Sequence, residues 1–448
     1  MGTQMPIISL DNDGSSRPFD QRESLPQFFY PFLSPISDGA DEAQANLFVE
    51  SLKRSSGSNA LAGLYIHIPF CRNFCVFCPI YKTRIPDEAD LAAYVEQLIR
   101  EMDTYSSLSH VRGLKIGAVY IGGGSPSCLP LHLVKRLLLA VRQRFALIDN
   151  CEISMEGEVR TLNDPRRLDV LRSSGCTRIS FGVQSLEPFV RRKSNLRPRL
   201  EDIKSLVKNL RNAGYAINMD MMYGLPGQTL AVWKDDLARA IDLGADQIDC
   251  YDTIIYPNTK LFKLRHKYKP IMADESEKIP MIEHTLDFLP RQGLVPIINH
   301  IFSREDNRFE WVSLMHSNGT SEMVAVGDSA IGYLSGCAYR NISPIGDYMA
   351  WNGAPRLPVR LIHPLTPDEL SIKSILRICR FLRVEKDQLD AALLNAYRPV
   401  IDDLVGRGVV GENSRAIWLT RLGQVWFDNV FLSFLPPKQR FKMWKIMY

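Results

Sequence analysis

Three cysteines lie close together in the stretch CRNFCVFC, as Cys71, Cys75 and Cys78. In a reducing compartment, clustered thiols bind metal more often than they form disulfides. A structural zinc ion needs four ligands, usually supplied by two CxxC-type pairs. The next cysteine, Cys128, is 50 residues further on, and His67 lies on a predicted strand, where its side chain need not turn toward the thiols. Zinc is therefore the weaker interpretation.

A [4Fe–4S] cluster explains the number of thiols better. Each of its four irons normally binds one cysteine, so three cysteines leave one iron with an open coordination position. A reactive metal centre keeps such a position for its ligand, and a small molecule with an amine and a carboxylate could close it. Pro69 ends the preceding strand, and Phe70, Phe74 and Phe77 can shield a cluster from water, although core packing also explains them. The spacing CX3CX2C is typical of radical S-adenosylmethionine (SAM) enzymes.

Further groups suited to chemistry follow the predicted strands. The stretch YIGGGSPS holds three consecutive glycines, which let a backbone carbonyl approach a ligand amine without an obstructing Cβ, although a tight turn also uses them. Polar residues in apolar strands are costly to bury unless they are paired, and one shared rim explains several of them together. The predicted cofactor-binding residues at this rim are Gly122, Gly123, Gly124, Glu156, Gln184, Asp220 and Met222.

The scaffold that positions these groups is predicted from hydrophobic patterning. From residue 61 to about 302, short β-branched or apolar runs alternate with amphipathic stretches, which predicts βαβ units and a parallel sheet. About six units favour a partial (β/α)6 TIM-like barrel in an α/β fold, with ligands at the carboxyl ends of the strands. The predicted strands cover 64–68, 117–123, 151–157, 178–184, 217–224 and 247–254, with 295–302 as a candidate seventh.

Shifts in composition divide the chain into three parts. Residues 1–60 are predicted to be an N-terminal extension with little regular structure, whose aromatic segment LPQFFYPFL docks on the main body. Residues 61–355 are the predicted barrel, which ends where APRLPVRLIHPLTPDEL carries four prolines. Residues 356–448 are predicted to form a mostly helical, winged-helix-like domain, without the basic helix that DNA recognition needs.

Bulk composition narrows the class of partner. The 448 residues carry a net charge of +4 without a dense Lys/Arg tract, so we expect neither nucleic acid nor a membrane as a partner. The N-terminus lacks the layout of a signal peptide, and nine cysteines then indicate a reducing compartment. We expect a cytoplasmic monomer that acts on a small molecule.

Several motifs resemble one branch of the radical SAM superfamily, the enzymes similar to oxygen-independent coproporphyrinogen dehydrogenase. These motifs are YIHIPFC, YIGGGSPS, RISFGVQS, MDMMYGLPGQT, AVGDSAIGYLSG and, near the C-terminus, IWLTRLGQVWFDNVF, so the resemblance covers roughly residues 61–448. It implies an electron donor such as flavodoxin or ferredoxin, and cleavage of SAM to methionine and a 5′-deoxyadenosyl radical. It also implies Cys71, Cys75 and Cys78 as cluster ligands, Tyr65, Gly123, Gly124, Glu156, Gln184 and Asp220 as SAM contacts, and Phe77 and Met222 as contacts of a second SAM.

The sequence departs from this branch at three places. Leu196 stands where an arginine contacts SAM, so Arg197 is expected to replace that arginine. Pro79 and Ile80 follow the third thiol, where the porphyrinogen enzyme has a further cysteine. The stretch PIINHIFSREDNRFEW replaces the YEISN-like segment of the haem chaperones.

By resemblance, these departures favour the class C radical SAM methyltransferases. Such enzymes use two SAM molecules to methylate or cyclopropanate an sp² carbon of a small conjugated or heterocyclic secondary metabolite. Two alternatives stay open. The first is another reaction of the same branch, porphyrinogen oxidation or anaerobic haem breakdown, and the second is a haem chaperone.

Candidate proton-transfer groups follow from the expected methyl transfer, because its adduct must lose a proton. His300, Glu305 and Asp306 lie just past the last predicted strand and are expected near the mouth of the barrel. Tyr81 and Lys82 directly follow the cysteine cluster. The alternative interpretation for all five is that they are ordinary exposed loop residues.

Overall fold

A twelve-stranded sheet forms the body of the computed structural model, which describes residues 17–25, 42–54, 60–317, 321–353, 356–437 and 439–440. Its strands are β1 (Leu61–Ile68), β2 (Lys115–Gly123), β3 (Leu147–Gly157), β4 (Arg178–Gln184), β5 (Ala216–Tyr223), β6 (Gln247–Asp252), β7 (Val295–Ile298), β8 (Ile301–Ser303), β9 (Glu322–Val326), β10 (Ile331–Leu334), β11 (Cys337–Asn341) and β12 (Val359–Pro364). Their order across the sheet is β12-β11-β10-β9-β1-β2-β3-β4-β5-β6-β8-β7. The pairs from β9 through β1 to β6 are parallel, and both margins of the sheet are antiparallel.

The six predicted strands β1 to β6 are confirmed, as is the α/β fold. Parallel strands are buried on both faces and therefore read as nearly continuous apolar runs. In β1, for example, six of eight residues are buried. The sheet is open, because the edge strands β12 and β7 do not pair with each other. The large sheet extends to Pro364, and the domain division at residue 355 stays a prediction.

Helices of the barrel cover the outer face of the sheet, and several begin and end at residues suited to that purpose. Asp87 caps the first long helix by accepting a hydrogen bond from the Asp90 backbone N–H. Gly244 ends another helix in the left-handed conformation. The longer helices are α1 (Glu42–Arg54), α2 (Glu88–Ser107), α3 (Leu131–Arg144), α4 (Pro165–Ser173), α5 (Leu200–Asn212), α6 (Leu230–Leu243), α7 (Glu275–Arg291) and α8 (Glu310–Ser317).

The candidate seventh strand is a hairpin rather than a continuation of the parallel barrel. β7 and β8 pair antiparallel, with a turn at 299–300, and β8 runs antiparallel to β6. The chain therefore returns to the amino end of the barrel, where the Arg304 N–H donates to the Asp246 carbonyl, 2.9 Å away. The loop directly after β8, which includes Glu305 and Asp306, consequently lies at the amino end of the barrel, opposite the carboxyl ends of the parallel strands.

Helix α8 and the residue before it lie inside the barrel. Phe309, Trp311 and Val312 pack against Ala118 of β2, Met323 of β9 and the hairpin residues Ile297, Ile298 and Ile301. The Trp311 ring stacks on Tyr120, with centroids 5.5 Å apart. This cluster fills part of the interior and leaves the carboxyl ends of the strands as the place for a ligand.

The C-terminal part has its own hydrophobic core, which includes Ile375, Cys379, Ile401, Leu404 and Ile417. Its described elements are α9 (Pro367–Ile375), α10 (Arg377–Arg380), β13 (Arg383–Glu385), α11 (Ala391–Ala396), α12 (Arg398–Gly406), β14 (Val410–Glu412), β15 (Ala416–Leu419), α13 (Arg421–Val425) and α14 (Phe427–Ser433). The three strands form an antiparallel sheet in the order β13-β15-β14. A helical domain with a small sheet agrees with the prediction.

The N-terminal part is more regular than predicted. Helix α1 packs on the main core through Phe48, Val49 and Leu52, which are all buried. Their spacing places them on one face of a helix, a signal that the polar composition of the region concealed. The aromatic segment LPQFFYPFL lies outside the described residues apart from Leu25, which is buried. Within the described ranges, no helix combines the length and apolar character needed to cross a membrane.

Candidate active site at the carboxyl end of the barrel

The loop that carries the three cysteines leaves the carboxyl end of β1 and closes on itself. Phe70 and Cys71 pair in parallel with Thr83 and Arg84, and the Thr83 N–H donates to the Pro69 carbonyl over 2.8 Å. The Lys82 ammonium donates to the carbonyls of Cys78, 2.8 Å away, and Ile80, 3.1 Å away. The spacing of the cysteines is therefore held inside one closed loop.

The thiols of this loop influence one another. Burial, together with the nearby Cys78 thiol, raises the pKa of Cys71 to about 11. Burial also raises the pKa of Cys75 to about 12, together with the Cys78 and Cys71 thiols. Among the described residues, no three His, Cys, Asp or Glu side chains are arranged as ligands of a single metal ion. Three neighbouring thiols on one loop are nevertheless the donor set that iron–sulfur clusters use.

The three glycines bring the end of β2 against the cysteine loop. The Gly124 N–H donates to the Ile68 carbonyl and the Ser125 N–H to the Phe70 carbonyl, each over 2.8 Å. A Cβ on Gly124 would lie 2.7 Å from the Phe70 carbonyl oxygen. Gly123 has a φ of +110°, and a Cβ there would lie 2.5 Å from the His67 ring. The glycines are thus required by the packing of the loop, beside their predicted role toward a ligand.

Glu156 lies at the end of β3 and is tied to the glycine stretch. Its carboxylate accepts hydrogen bonds from the Gly123 N–H, 2.9 Å away, and from the Tyr120 hydroxyl. Burial raises its pKa. Tyr65 stands beside this pair, because its hydroxyl is hydrogen-bonded to His67 Nδ1 at 2.8 Å and its ring stacks on Tyr120. Strands β1 to β3 therefore bring Tyr65, Glu156 and the glycines together, as predicted.

Asp220 faces a second carboxyl group that the sequence reading missed. Asp220 on β5 and Asp249 on β6 are direct partners in the strand register. Burial raises the pKa of Asp220 well above its usual value, and the charges of Asp249 and Glu156 add to the effect. Three carboxyl groups from three strands therefore meet at this end of the barrel. A cationic ligand among them would offset their mutual repulsion.

Gln184 adopts an unusual backbone conformation at the end of β4. Its φ of +65° lies in the left-handed region, which residues other than glycine seldom occupy. Its side-chain oxygen is buried and accepts no hydrogen bond from the described residues. Arg191 holds the surrounding backbone by donating to the carbonyls of Val183 and Ser185, over 2.9 and 2.7 Å. An unpaired amide oxygen held at a strand end is suited to a ligand with N–H or O–H groups.

Phe77 and Met222 are brought together, whereas Arg197 stands apart. Phe77 and Met222 are buried in one apolar cluster with Val190, and Leu196 packs against that cluster. Arg197 is exposed. The apolar wall that Phe77 and Met222 form lies beside Cys75 and Cys78, which pack against the same cluster.

The predicted proton-transfer groups do not form one site. His300 occupies the turn of the β7–β8 hairpin, where its ring lies 5.3 Å from that of Tyr251, and burial lowers its pKa to about 3. Glu305 and Asp306 are exposed and lie at the amino end of the barrel, because β8 reverses the chain direction. The expectation that these two acids lie near the mouth is therefore wrong.

Tyr81 and Lys82 lie at the cysteine loop as predicted, but their polar ends are engaged by backbone. The Tyr81 hydroxyl accepts a hydrogen bond from the Ile345 N–H over 3.2 Å. The Lys82 ammonium binds the two carbonyls of the cysteine loop described above. These contacts are structural, and a catalytic role for Tyr81 stays a prediction.

Comparison with known proteins decides the family. Residues 65–240 match the radical SAM superfamily. The oxygen-independent coproporphyrinogen III oxidase of Bradyrhizobium diazoefficiens is 30% identical over 76% of this chain and 76% of the relative. The chain belongs to the radical SAM superfamily. Anaerobilin synthase of Escherichia coli is 28% identical over 96% of this radical SAM chain and 94% of the relative. The haem chaperone HemW of Lactococcus lactis is 27% identical over 83% of this chain and 96% of the relative.

A solved structure supports the same fold. The radical SAM enzyme coproporphyrinogen III oxidase (HemN) from Escherichia coli superposes with a TM-score of 0.76, over 90% of this chain and 96% of that one, at 23% identity. The partial radical SAM barrel is thereby confirmed. Membership of the superfamily implies a [4Fe–4S] cluster and SAM. The loop with the three cysteines, the carboxyl groups of the acidic mouth (Glu156, Asp220 and Asp249) and the unpaired Gln184 oxygen fit these cofactors.

The expected class C methyltransferase is wrong. These relatives are named as anaerobilin synthase, a haem chaperone and coproporphyrinogen III oxidase, and none of the three names is that of a C-methyltransferase. That expectation came from departures from the porphyrinogen enzyme and the haem chaperones, at Pro79, Ile80 and the stretch PIINHIFSREDNRFEW. A departure argues against one reaction but identifies no acceptor, and motifs shared by the whole branch do not distinguish its reactions. The expectations of cyclopropanation and of a secondary-metabolite acceptor are wrong for the same reason.

Proposed function

We propose that this chain is a radical SAM enzyme of haem metabolism that acts on a tetrapyrrole, in the manner of anaerobic haem breakdown. The observation that carries the proposal is the similarity to anaerobilin synthase, which spans 96% of this chain and 94% of the relative. A departure from the porphyrinogen enzyme supports the same choice, because Pro79 and Ile80 stand where that enzyme has a further cysteine. Decarboxylation of a porphyrinogen is therefore the less favoured reaction.

Each part of the site has a role in this proposal. Cys71, Cys75 and Cys78 would hold the cluster, and Glu156, Gln184 and Asp220 would bind and orient SAM beside it. When bound and reduced, the cluster and SAM supply a 5′-deoxyadenosyl radical, and the protein supplies position and exclusion of water. The apolar wall of Phe77 and Met222 would shield this space, and a second SAM against that wall is a further proposal. The reductant is a flavodoxin or ferredoxin, and the proposed location is the cytoplasm.

A haem chaperone is the second candidate, because the HemW relative matches over 96% of its own length. In a chaperone, the chain would bind haem and hand it on unchanged. The two candidates differ in whether SAM cleavage accompanies loss of the tetrapyrrole.

The experiment uses anaerobically reconstituted, reduced protein with SAM and either haem or coproporphyrinogen III. We expect haem to disappear with formation of 5′-deoxyadenosine and a new tetrapyrrole product, both followed by mass spectrometry. Cys75→Ala should abolish both, whereas Cys337→Ala, which changes a cysteine on β11, should retain them. Stoichiometric haem binding without 5′-deoxyadenosine would favour the chaperone. Conversion of coproporphyrinogen III alone would assign the oxidase reaction and contradict the proposal.

A further inference from the structure

Two carboxyl groups face each other in the mouth of the barrel, that of Asp220 half-buried and that of Asp249 buried. Asp220 and Asp249 occupy paired positions on the neighbouring parallel strands β5 and β6. Paired positions place side chains on the same face of a sheet, and Asp249 is only 3% exposed. Two anions held so close in a buried site repel each other strongly, so one of them retains a proton.

The hydrogen bonds show which of the two groups is the better anion. The Asp249 carboxylate accepts from Gln247 Nε2 over 2.7 Å and from the Tyr251 hydroxyl over 3.2 Å, one donor to each oxygen. The buried Arg178 guanidinium donates to Gln247 Oε1 over 2.9 Å, which orients the amide toward Asp249. Donors that converge on a carboxylate stabilise its charged form.

Asp220 accepts the same number of hydrogen bonds, but both reach one of its two oxygens. Its Oδ1 accepts from Asn218 Nδ2 over 3.0 Å and from the Ser180 hydroxyl over 3.3 Å. No residue in the described ranges donates to its Oδ2. The proton of the pair therefore rests on Asp220, and its second oxygen stays available to a ligand.

The other charged groups around the pair leave this balance in place. Glu156 approaches from β3 and adds a third negative charge that raises the pKa of Asp220. Arg178, on β4, lowers the pKa of Asp249, which burial nevertheless holds at about 6. Tyr120 and Tyr251 have pKa values well above their usual value because of burial, so both phenols stay neutral.

We propose that Asp220 and Asp249 share a single proton, and that Asp249 is a positioning residue that couples binding of SAM to release of this proton. The inference rests on the proposed contact between Asp220 and SAM. SAM carries a sulfonium and an ammonium group, and a positive charge beside Asp220 favours its anionic form. The bond that breaks is the O–H bond of the Asp220 carboxyl group, and the proton passes to water.

The first test examines the shared proton on reconstituted protein without SAM. The carbonyl stretch of protonated Asp220 is isolated as the infrared difference between wild type and Asp220→Asn, and is followed with pH. In Asp249→Asn, with Asp220 intact, this band should vanish at a pH about one unit lower or more, because the neighbouring charge is gone. The control Asp169→Asn makes the same charge change at an exposed residue of α4 and should not change the pH at which the band vanishes. An unmoved band in Asp249→Asn would overturn the shared proton.

The second test examines the coupling to SAM. The dissociation constant of SAM from reconstituted protein is measured between pH 6 and 8. In wild type we expect the dissociation constant of SAM to fall by up to tenfold for each unit by which pH rises, since one proton leaves on binding. Asp249→Asn should flatten this dependence and raise affinity at pH 6, a gain that mere structural damage would not produce. Parallel profiles would overturn the coupling. Neither test uses a tetrapyrrole, so their failure and failure of the proposed reaction are distinguishable.

Discussion

At the scale of single residues, several residues of the site stabilise the fold and also have a proposed role toward the cofactors. Glu156 binds the Gly123 N–H and the Tyr120 hydroxyl, yet it also belongs to the acidic mouth. Gly124 lets the end of β2 touch the backbone that leads to Cys71. A change at such a position should therefore reduce cofactor content and stability together.

Gly124→Ala tests this expectation. A Cβ there would approach backbone oxygens of Phe70 and Ile68 to 2.7 and 2.9 Å, and backbone cannot move aside as a flexible side chain can. We expect a loss of about 1–3 kcal/mol in the free energy of unfolding, and less iron and sulfide per chain after reconstitution. Gly346→Ala is the control, because a Cβ there meets no other atom within 4 Å. Unchanged iron content in Gly124→Ala would contradict the proposed packing role.

The sequence predicts some of these residues and not others, for identifiable reasons. Three cysteines in one short stretch can be recognised without a structure, because few other functions use that spacing. Asp249 lies in the strand pattern QIDCYDTI, where it looks like any polar residue of a strand. Only the register that places it opposite Asp220 reveals its neighbour.

At the scale of elements, one buried acid joins helix α2 to the segment that follows β9 and to β11. Glu101 accepts hydrogen bonds from the Gly327 N–H over 2.9 Å, from Asn341 Nδ2 over 2.6 Å and from the Tyr348 hydroxyl over 2.6 Å. Gly327 directly follows β9, the strand that pairs with β1. The contact therefore fixes β9 beside β1, the strand that leads into the cysteine loop.

Glu101 should give stability a pH dependence of known sign. Burial raises its pKa to about 7, so between about pH 4.5 and 7 the folded protein binds more protons than the unfolded chain. The contribution is fully present below this window and is lost as pH rises through it. Glu101→Gln, which is neutral throughout, should remove this decline, an effect of at most ~3 kcal/mol. Denaturant unfolding at several pH values measures it.

Glu96→Gln, on the same helix, is the matched control, because Glu96 forms an exposed ion pair with Arg136. This variant should change the free energy of unfolding by less than ~1 kcal/mol. The decline of that free energy between about pH 4.5 and 7 should stay as in wild type. An identical pH slope in wild type and Glu101→Gln would show that the carboxyl group is not buried in a protonated form.

The six strands of the barrel were predictable because the alternation of apolar and amphipathic stretches is long. The reversal of the chain after β7 was not predictable from that pattern. The alternation from Leu61 to Asp252 predicts six parallel strands, and all six are present. The run VPIINHIF reads as one strand, but its two polar residues, Asn299 and His300, form the turn of a hairpin. Misreading that turn put Glu305 and Asp306 at the wrong end of the barrel.

At the scale of the whole molecule, residues 17–25 tie the barrel to the C-terminal part. Arg22 binds Asp252 at the end of β6 over 3.1 Å and also binds Glu275 of α7. Its Nε donates to the Val425 carbonyl of α13 over 3.3 Å. Lys278 completes the network by binding both acids over 2.7 Å. One buried guanidinium thus contacts three parts of the chain that are distant in sequence.

Arg22→Met should weaken this junction more than its size suggests. Removal of one partner from a buried ion network leaves charge without compensation, which typically costs 3–5 kcal/mol, and Asp252 and Glu275 would then share Lys278 alone. We expect a lower unfolding midpoint and faster limited proteolysis between the barrel and the C-terminal helices. Arg136→Met removes an arginine from an exposed pair and should cost less than ~1 kcal/mol. Equal losses in the two variants would mean that the Arg22 network does not hold the parts together, because it would then contribute no more than an exposed ion pair.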